Sequence, residues 1–482
     1  MCGIVGILSD STNGVAHDLA HSLEGLRHRG PDAVGALMYV GGEIDCVVRE
    51  RKVNERLLQK IRLMGPEFDT VGPTVAFGHT RYKTSGTHNS HNSQPFKIGD
   101  NDTQLEILFN GNIPGHELIR RDHMPGYTFQ TLGDTETLAR FVLHHIVETL
   151  RAPGQTEVRH AIRESVKRVI DTFPGGYSAI GKFQSESFVF KDRYGIRPTV
   201  LGKTGNKEII SSENHFFDSL GYETVGEIPH GSLYFPGTEP EYLLNEQYQM
   251  HPDVFEFVYL AKDGSRLYGV ENTKVRYDLG LSAAQELRAA YPELRFTQIC
   301  AVPNGANIMR KGALHVYGMP EDMPNGITRK PHSERSFMAS LQDDREAIVR
   351  DKFILHPEYI VGEDILLIDD SIVRGTTMQV IVDMLLEQGA RSVFVLPASP
   401  AVHYGDRYGI AMGTGELIGV DQVSTERLST ENIESKLFYD PLSGRQKARL
   451  FYPSIDSFLG VFKKHGLFQV HAAYFDGKFI AG

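Results

Sequence analysis

The sequence contains very little cysteine. Its 482 residues include only Cys2, Cys46 and Cys300, which lie far apart and form no CxxC pair. This spacing excludes a disulfide framework, a zinc knot and a cysteine-ligated iron–sulfur cluster, because the last two need about four nearby thiolates. Sparse, unpaired cysteine is typical of proteins in a reducing compartment. We therefore expect a cytoplasmic protein without an iron–sulfur cluster.

The sequence also lacks a long apolar run and an excess of positive charge. No window approaches the ~18 consecutive apolar residues that a membrane-spanning helix requires. The apolar stretch of residues 4–8 is interrupted by Gly6 and ends at Asp10, so it indicates a buried strand and not a secretory signal. The formal net charge of −11 disfavours non-specific binding to nucleic acid or anionic membranes. We expect neither as a partner.

Two parts of the chain differ in sequence pattern. Up to about residue 235, runs of β-branched and aromatic residues alternate with glycine and polar turns, which indicates strands. Helical patterns at residues 15–26 and from Asp134 interrupt these strands, so we expect a layered α+β domain. Turn residues and then a polar run occupy residues 228–247, which we interpret as the boundary.

The second part repeats a strand–helix–strand pattern. The apolar runs at 365–368 and 393–396 show no alternation, as expected of parallel strands covered on both faces. Gly389 supplies the stop for the helix between them. This pattern predicts a doubly wound α/β domain, whose ligands bind at the carboxyl ends of the strands.

One stretch of the second part predicts a phosphate site. In DILLIDDSIVRGTTMQV, residues 364–380, a buried strand ends in Asp369 and Asp370 and passes through a loop into a helix. The loop contributes Arg374, Gly375, Thr376 and Thr377. Backbone N–H groups, hydroxyls and a helix N-terminus together can bind a phosphate group. The alternative is structural: the two acids cap the next segment and the threonines merely start a helix.

This stretch resembles the signature of type I phosphoribosyltransferases, which bind phosphoribosyl pyrophosphate. The resemblance implies that Asp369 and Asp370 bind the ribose hydroxyls and a Mg²⁺ ion. It implies that the 5-phosphate lies in the loop described above, with Ser371 also contacting the substrate. It places the pyrophosphate over an earlier loop, VPNGAN, at Asn304 and Gly305.

Cys2 follows the initiator methionine directly. Removal of Met1 would leave a residue that carries a thiol and a free amine, so a nucleophile and its base would arrive together. The alternative is an ordinary small apolar residue beside a strand. Four further motifs bear on the choice: LRHRGPDAVG (26–35), GHTRYKTSG (78–86), FNGN (109–112) and GDTE (133–136). Taken singly, RHRGPD is a plausible turn with solvated charges, and NGN is a frequent hairpin turn.

In this order behind Cys2, the motifs resemble class II glutamine amidotransferases. These are N-terminal-nucleophile (Ntn) hydrolases with an αββα sandwich of two stacked sheets between helices. The resemblance implies that Cys2 attacks the glutamine amide while Asn110 and Gly111 donate to the oxyanion. It also implies that glutamine is held by Arg81 at its carboxylate, by Asp134 at its ammonium and by the loop at Gly30.

The combination of the two parts resembles the glutamine phosphoribosylpyrophosphate amidotransferase family. The resemblance implies a class II glutamine amidotransferase domain over residues 2–235 and a phosphoribosyltransferase domain over 250–470. It implies glutamine-dependent amination of phosphoribosyl pyrophosphate, with ammonia moving inside the protein between the two sites. It further implies a cluster-free, Mg²⁺-dependent homo-oligomer, either a dimer or a tetramer.

The flexible segment at 328–353 departs from the family pattern. Arg335, Arg350 and Lys352 match basic positions of the family, and the last two are candidate ligands of the substrate, but acids replace other basic residues. VPNGAN also stands where the family has IPETS-like residues. Two alternatives therefore stay open: a paralogue with a different acceptor, or a regulatory protein that senses phosphoribosyl pyrophosphate.

Overall fold

The structure is a computed structural model of the whole chain. It describes residues 1–50, 53–64, 71–82, 94–100, 103–154, 157–244, 248–330, 342–410, 412 and 416–480, without the side chains of 45, 46 and 342–345. Part of the predicted flexible segment, including Arg335, lies outside the described residues, as does the end of the GHTRYKTSG motif.

The first part of the chain contains strands and a few helices. Its strands are β1 (Gly3–Ser11), β2 (Ala33–Val40), β3 (Glu43–Glu50), β4 (Val71–Arg81), β5 (Phe96–Ile98), β6 (Leu105–Asn112), β7 (Gly176–Phe183), β8 (Glu186–Lys191), β9 (Val200–Thr204), β10 (Lys207–Ser211), β11 (Glu223–Glu227), β12 (Ser232–Tyr234) and β13 (Glu241–Tyr242). Its helices are α1 (Val15–Gly25), α2 (Glu55–Arg62), α3 (His116–His123), α4 (Asp134–Arg151) and α5 (Val158–Thr172), with a 3₁₀ turn at Asp218–Leu220.

These strands form two stacked sheets. One has the order β11-β9-β10-β1-β4-β2-β3 and the other the order β13-β12-β8-β7-β6-β5. Apolar side chains from both fill the space between them, among them Ile4, Phe77, Leu108 and Ile180. Helix α4 buries the predicted apolar face against the outer side of the second sheet. Two sheets between helices confirm the predicted αββα sandwich.

The second part contains a parallel sheet, short antiparallel strand pairs and several helices. Its strands are β14 (Arg266–Leu267), β15 (Val270–Glu271), β16 (Gln298–Ala301), β17 (Ile327–Arg329), β18 (Phe353–Leu355), β19 (Asp364–Asp369), β20 (Ser392–Pro397), β21 (Tyr439–Asp440), β22 (Arg445–Gln446) and β23 (Arg449–Leu450). Its helices are α6 (Asn272–Ala290), α7 (Ala306–Tyr317), α8 (Gln342–Lys352), α9 (Thr376–Glu387), α10 (Thr430–Phe438), α11 (Ile455–Lys464) and α12 (Ala473–Asp476). A π-helical turn covers Glu256–Leu260, and a 3₁₀ turn covers Pro357–Tyr359.

The central sheet of this part has the order β16-β19-β20-β23, and its neighbouring strands are parallel. The strands and helices predicted between residues 298 and 397 are all present. Helices α6 and α7 lie very close, because Gly280 has no side chain and a Cβ there would lie 1.9 Å from the Met309 carbonyl oxygen. The doubly wound parallel arrangement is confirmed.

The two parts share one hydrophobic core. A single cluster includes Val5 of β1, Phe255 just after the predicted boundary, Leu279 of α6 and Phe475 of α12. Strand β13 also lies beyond residue 235, where the first domain was expected to end. The domain ranges stay a prediction. Among the described residues, helices of a length and apolarity that would cross a bilayer are absent.

Candidate active site

Cys2 lies just before β1, beside the end of β4. Gly3 pairs with Thr80 in antiparallel register, so the next position along brings Cys2 next to Arg81, where β4 ends. The Gly30 loop packs against the same strand end: a Cβ on Gly30 would lie 2.3 Å from the Thr80 carbonyl carbon. The fold therefore brings together Cys2, Arg81 and Gly30, as the sequence predicted.

Asn110 and Gly111 lie at the end of β6, in the facing sheet. The Asn110 side chain is fully buried, and neither its oxygen nor its nitrogen has a hydrogen-bond partner among the described residues. An unsatisfied buried amide is unfavourable by about 1–3 kcal/mol, so this one is available to a ligand. The interpretation of NGN as a hairpin turn is wrong, because Asn110 and Gly111 pair with Ser178 and Tyr177 of β7.

Asp134 is the first residue of α4 and lies next to the end of β6. Its Oδ2 accepts a hydrogen bond from the Ile113 backbone N–H at 3.2 Å. Burial raises the pKa of the Asp134 carboxyl, with the nearby His116 acting in the opposite direction. Asp134 thus lies at the strand end that carries Asn110 and Gly111.

Met1 is buried at this site. Its side chain is 3% exposed, and burial lowers the pKa of its amine to about 5. A Cβ on Gly409, from the second part of the chain, would lie 3.0 Å from the Met1 sulfur and 3.1 Å from the Gly111 carbonyl carbon. Met1 therefore lies close to the end of β6 at Gly111.

A buried charge cluster behind Cys2 was missed by the sequence analysis. Residues 26–29 form a turn and Arg27 is exposed, as expected, but Arg29 is only 1% exposed, so the expectation of a solvated charge is wrong at this residue. Its Nε donates to the Cys2 carbonyl at 3.1 Å, and its Nη1 donates to Glu213 at 2.7 Å. Burial opposes ionisation of Glu213, but His28, His215 and Arg29 together hold its pKa well below the usual value. The one available signal was the position of Arg29 directly before the expected pocket residue Gly30.

A second site lies at the carboxyl edge of the parallel sheet. The Val302 N–H donates to the Ile368 carbonyl at 2.9 Å, which joins the loop after β16 to the end of β19. A Cβ on Gly305 would lie 2.4 Å from Asp370 Oδ2. The VPNGAN loop, with Asn304 and Gly305, therefore meets the diacid loop as the sequence predicted.

Asp369, which is partly buried, and Asp370, which is buried, are adjacent carboxyls at the end of β19. Burial and the charge of Asp370 raise the pKa of Asp369 well above its usual value. Burial raises the pKa of Asp370 to about 6, although Ser371 donates a hydrogen bond to its Oδ1 at 2.9 Å. The interpretation of these acids as helix caps is wrong, because the N-cap of α9 is Gly375. Two adjacent carboxylates are a donor set that suits a divalent metal ion with oxygen ligands.

The loop before α9 has the geometry expected of a phosphate site. Gly375 adopts φ +85°, a conformation that favours glycine, and the helix begins at Thr376 and Thr377 without a side-chain cap among the described residues. Its first backbone N–H groups are therefore available to an anion. Arg374 forms an exposed ion pair with Glu416.

Arg350 is held away from this loop. Both nitrogens at the end of the Arg350 side chain donate to Glu387, at 2.7 and 2.8 Å, at the far end of α9. That helix has 12 residues, so its two ends are ~18 Å apart. The Lys352 carbonyl accepts a hydrogen bond from Lys330 across β17 and β18. The substrate-binding roles of Arg350 and Lys352 stay predictions.

Comparison with known proteins agrees with this geometry. Residues 79–219 match the family described as "Glutamine amidotransferase domain". The amidophosphoribosyltransferase of Methanothermobacter thermautotrophicus is 29% identical over 446 residues, covering 90% of this chain and 86% of that protein. The Pseudomonas aeruginosa amidophosphoribosyltransferase is 29% identical over 451 residues, covering 89% and 85%.

Solved structures match over the full length. The glutamine phosphoribosylpyrophosphate amidotransferase of B. subtilis, solved with ADP and GMP, superimposes with a TM-score of 0.80 at 24% identity, covering 100% of this chain and 98% of that one. A structure described as the allosteric regulatory enzyme of purine biosynthesis gives 0.82 at 25% identity, covering 100% and 96%. In sequence and in fold, this chain is a homologue of the amidophosphoribosyltransferases, with an Ntn-hydrolase part followed by a type I phosphoribosyltransferase part.

Proposed function

We propose that this chain transfers the amide nitrogen of glutamine to phosphoribosyl pyrophosphate, which gives 5-phosphoribosylamine, glutamate and pyrophosphate. This reaction is the first step of de novo purine synthesis. One observation carries the proposal: a single chain combines Cys2, just before β1, and an unsatisfied buried amide, Asn110, at the end of β6 in the facing sheet, with the Asp369–Asp370 pair at the edge of a parallel sheet. Glutamine and phosphoribosyl pyrophosphate are its substrates.

The first half-reaction takes place at Cys2, once Met1 is removed. The thiol attacks the amide carbon of glutamine while the Cys2 amine accepts the thiol proton and later passes it to the departing ammonia. The Asn110 side chain and the Gly111 N–H donate to the oxyanion. The carboxylate and the ammonium of glutamine bind Arg81 and Asp134, a guanidinium being suited to a carboxylate. Water then hydrolyses the thioester and releases glutamate.

The second half-reaction takes place at the sheet edge. Asp369 and Asp370 bind the ribose hydroxyls and would hold Mg²⁺, whose positive charge would favour departure of pyrophosphate. The 5-phosphate lies in the loop that includes Ser371 and the start of α9. Ammonia forms a bond to C1 of the ribose as the bond from C1 to the pyrophosphate oxygen breaks. Ammonia reaches this carbon inside the protein, because the protonated ion in solution is not a nucleophile.

The pyrophosphate end of the site is where this chain differs from its family. Asn304 and Gly305 replace family residues in the loop over which pyrophosphate lies. The amidophosphoribosyltransferase homologues favour the same acceptor despite this change. A Mg²⁺-dependent homo-oligomer in the cytoplasm stays a prediction, and so do the domain ranges 2–235 and 250–470.

The proposal is tested by pyrophosphate release with glutamine or with ammonium as nitrogen donor. We expect the parent to use both donors, and Cys2→Ala to retain ammonium-dependent turnover only. Asp370→Asn is expected to lose both activities. Binding of phosphoribosyl pyrophosphate without turnover would indicate a sensor, and loss of both activities in Cys2→Ala would contradict the two-site mechanism. Active enzyme that retains Met1 by mass spectrometry would also contradict it.

A further inference from the structure

Glu256, from the second part of the chain, reaches the N-terminal nucleophile segment. It is fully buried at the start of the π-helical turn. Its two carboxylate oxygens each accept a hydrogen bond from Arg29 Nη2 at 2.9 Å. Oε1 also accepts from Arg197 Nη1 at 3.3 Å. Two arginines of the first part therefore meet on one carboxylate of the second.

Arg29 transmits this contact to Cys2. Each of its three nitrogens donates a hydrogen bond: Nε to the Cys2 carbonyl, Nη1 to Glu213 and Nη2 to Glu256. A guanidinium is planar and rigid, so three fixed partners define its position and orientation. The carbonyl that it holds belongs to the residue that bears the thiol. Any movement of Glu256 is thus expected to shift the peptide that carries the nucleophile.

A second contact from the same part of the chain lies at the end of β6, next to the proposed oxyanion donors Asn110 and Gly111. Arg197 also donates to the Tyr408 carbonyl at 2.6 and 3.0 Å and to Asp253 at 2.7 Å. The neighbouring Arg407 carbonyl accepts from Asn112 Nδ2 at 2.7 Å. The second part of the chain is therefore linked through one connected cluster to the Cys2 peptide, by way of Arg29, and to the end of β6 at Asn112.

Stability alone does not account for such a cluster. Buried ion pairs lose much of their attraction to desolvation, and apolar residues of the same volume are often as stabilising. What the ion pairs add here is orientation: Arg29 directs a donor at the Cys2 carbonyl, and Arg197 directs two donors at the Tyr408 carbonyl.

We propose that Glu256 is a positioning residue for glutamine hydrolysis, which holds Arg29 and, through it, the Cys2 peptide. The first part of the chain is then a complete glutaminase only while the second part is packed against it. The turnover readouts below rest on the proposed function.

The test compares Glu256→Gln with Glu227→Gln. Glu227 is a matched control: its side chain is 11% exposed, accepts a hydrogen bond from the buried Lys191 at 2.8 Å, and contacts the second part at the Tyr268 N–H. It does not contact Arg29 within the described structure. Three quantities are measured: ammonium-dependent turnover, kcat and KM for glutamine, and the rate at which 6-diazo-5-oxo-L-norleucine labels Cys2, followed by mass spectrometry.

We expect Glu256→Gln to lower the kcat for glutamine and the maximal labelling rate at least tenfold, since small displacements of reacting groups have effects of this size. The KM for glutamine and the ammonium-dependent rate should stay within about threefold, because Glu256 lies at neither substrate. Glu227→Gln should leave all three quantities within about twofold.

Two results would overturn the inference: labelling of Glu256→Gln at the parental rate, or an equal loss of glutamine-dependent and ammonium-dependent turnover. If Glu256→Gln does not fold, Glu256→Asp keeps the charge but shortens the side chain, and a loss of labelling below threefold would count against the proposal. Failure of the parent itself to label at Cys2 would refute the proposed glutaminase and this inference together. Parental labelling without pyrophosphate release would refute the proposed acceptor alone.

Discussion

Gly305 and Asp370 lie in contact at the edge of the parallel sheet, although 65 positions separate them in the sequence. A Cβ on residue 305 would be 2.4 Å from Asp370 Oδ2, a distance that no side chain can adopt without displacing the carboxylate. Glycine at this position therefore allows the VPNGAN loop and the diacid to share one site.

Gly305→Ala is expected to lower pyrophosphate release at least tenfold with either nitrogen donor, because the Cβ would push Asp370 out of position. Hydrolysis of glutamine to glutamate should continue. Gly460→Ala is the control, since a Cβ at this position in α11 would contact nothing within 4 Å. Unchanged pyrophosphate release in Gly305→Ala would mean that the diacid does not bind the sugar.

Gly409→Ala tests the contact between the two parts at Gly111, near the end of β6. Residue 409 has φ +123°, and its Cβ would lie 3.1 Å from the Gly111 carbonyl carbon. We expect glutamine-dependent turnover to fall about tenfold while ammonium-dependent turnover is kept, because Gly111 would shift. Gly444→Ala controls for backbone strain, having φ +67° in open space. Equal loss of both activities would contradict the expectation.

Asp370→Asn should make the ligand-free protein more stable while it abolishes pyrophosphate release. Burial raises the pKa of Asp370 to about 6, so the folded state disfavours its ionised form. The charge therefore destabilises the fold above pH 6, by on the order of 1–3 kcal/mol, and this cost disappears below about pH 4. The thermal midpoints of the parent and the variant are compared at pH 8 and pH 4.5. The increase in midpoint caused by Asp370→Asn should be larger at pH 8. A variant less stable than the parent at both values would contradict it.

His79 is expected to make stability depend on pH. It is fully buried in β4, its ring nitrogens lack partners among the described residues, and burial lowers its pKa to about 3. Below about pH 6.5 this histidine binds a proton in the unfolded chain but not in the folded chain. The free energy of unfolding therefore decreases as the pH is lowered from 6.5 to 3, by at most about 1.4 kcal/mol per pH unit. His79→Gln should flatten the dependence of the urea midpoint on pH between 6 and 4. His17→Gln, whose imidazole is 63% exposed, should not.

Sequence alone predicted the elements whose signals are local. The runs before Asp369 and after Gly389 showed that the second part is a parallel sheet, because strands buried on both faces cannot alternate. The diacid and the loop before α9 are contiguous in sequence, so their chemistry was visible. Asn110 was identified only through its family resemblance, since local turn statistics favoured a hairpin that the pairing of β6 with β7 excludes.

The charge cluster behind Cys2 could not be predicted in the same way. Arg29 finds its partners 184 and 227 positions later, at Glu213 and Glu256, and these contacts exist only after the two parts pack. From sequence, charged residues in a turn are expected to be solvated. The contact of Arg350 with Glu387, at the far end of α9, is another pairing that its position in the sequence did not indicate.

The apolar cluster that joins Val5, Phe255, Leu279 and Phe475 crosses from one part of the chain to the other without interruption. Rocking the parts as rigid bodies would break this cluster open and expose its side chains to water. We therefore expect the two parts to keep their relative positions during the catalytic cycle, with conformational change confined to surface loops. Either part, fused alone to another protein, would expose the apolar surface that the other part covers here.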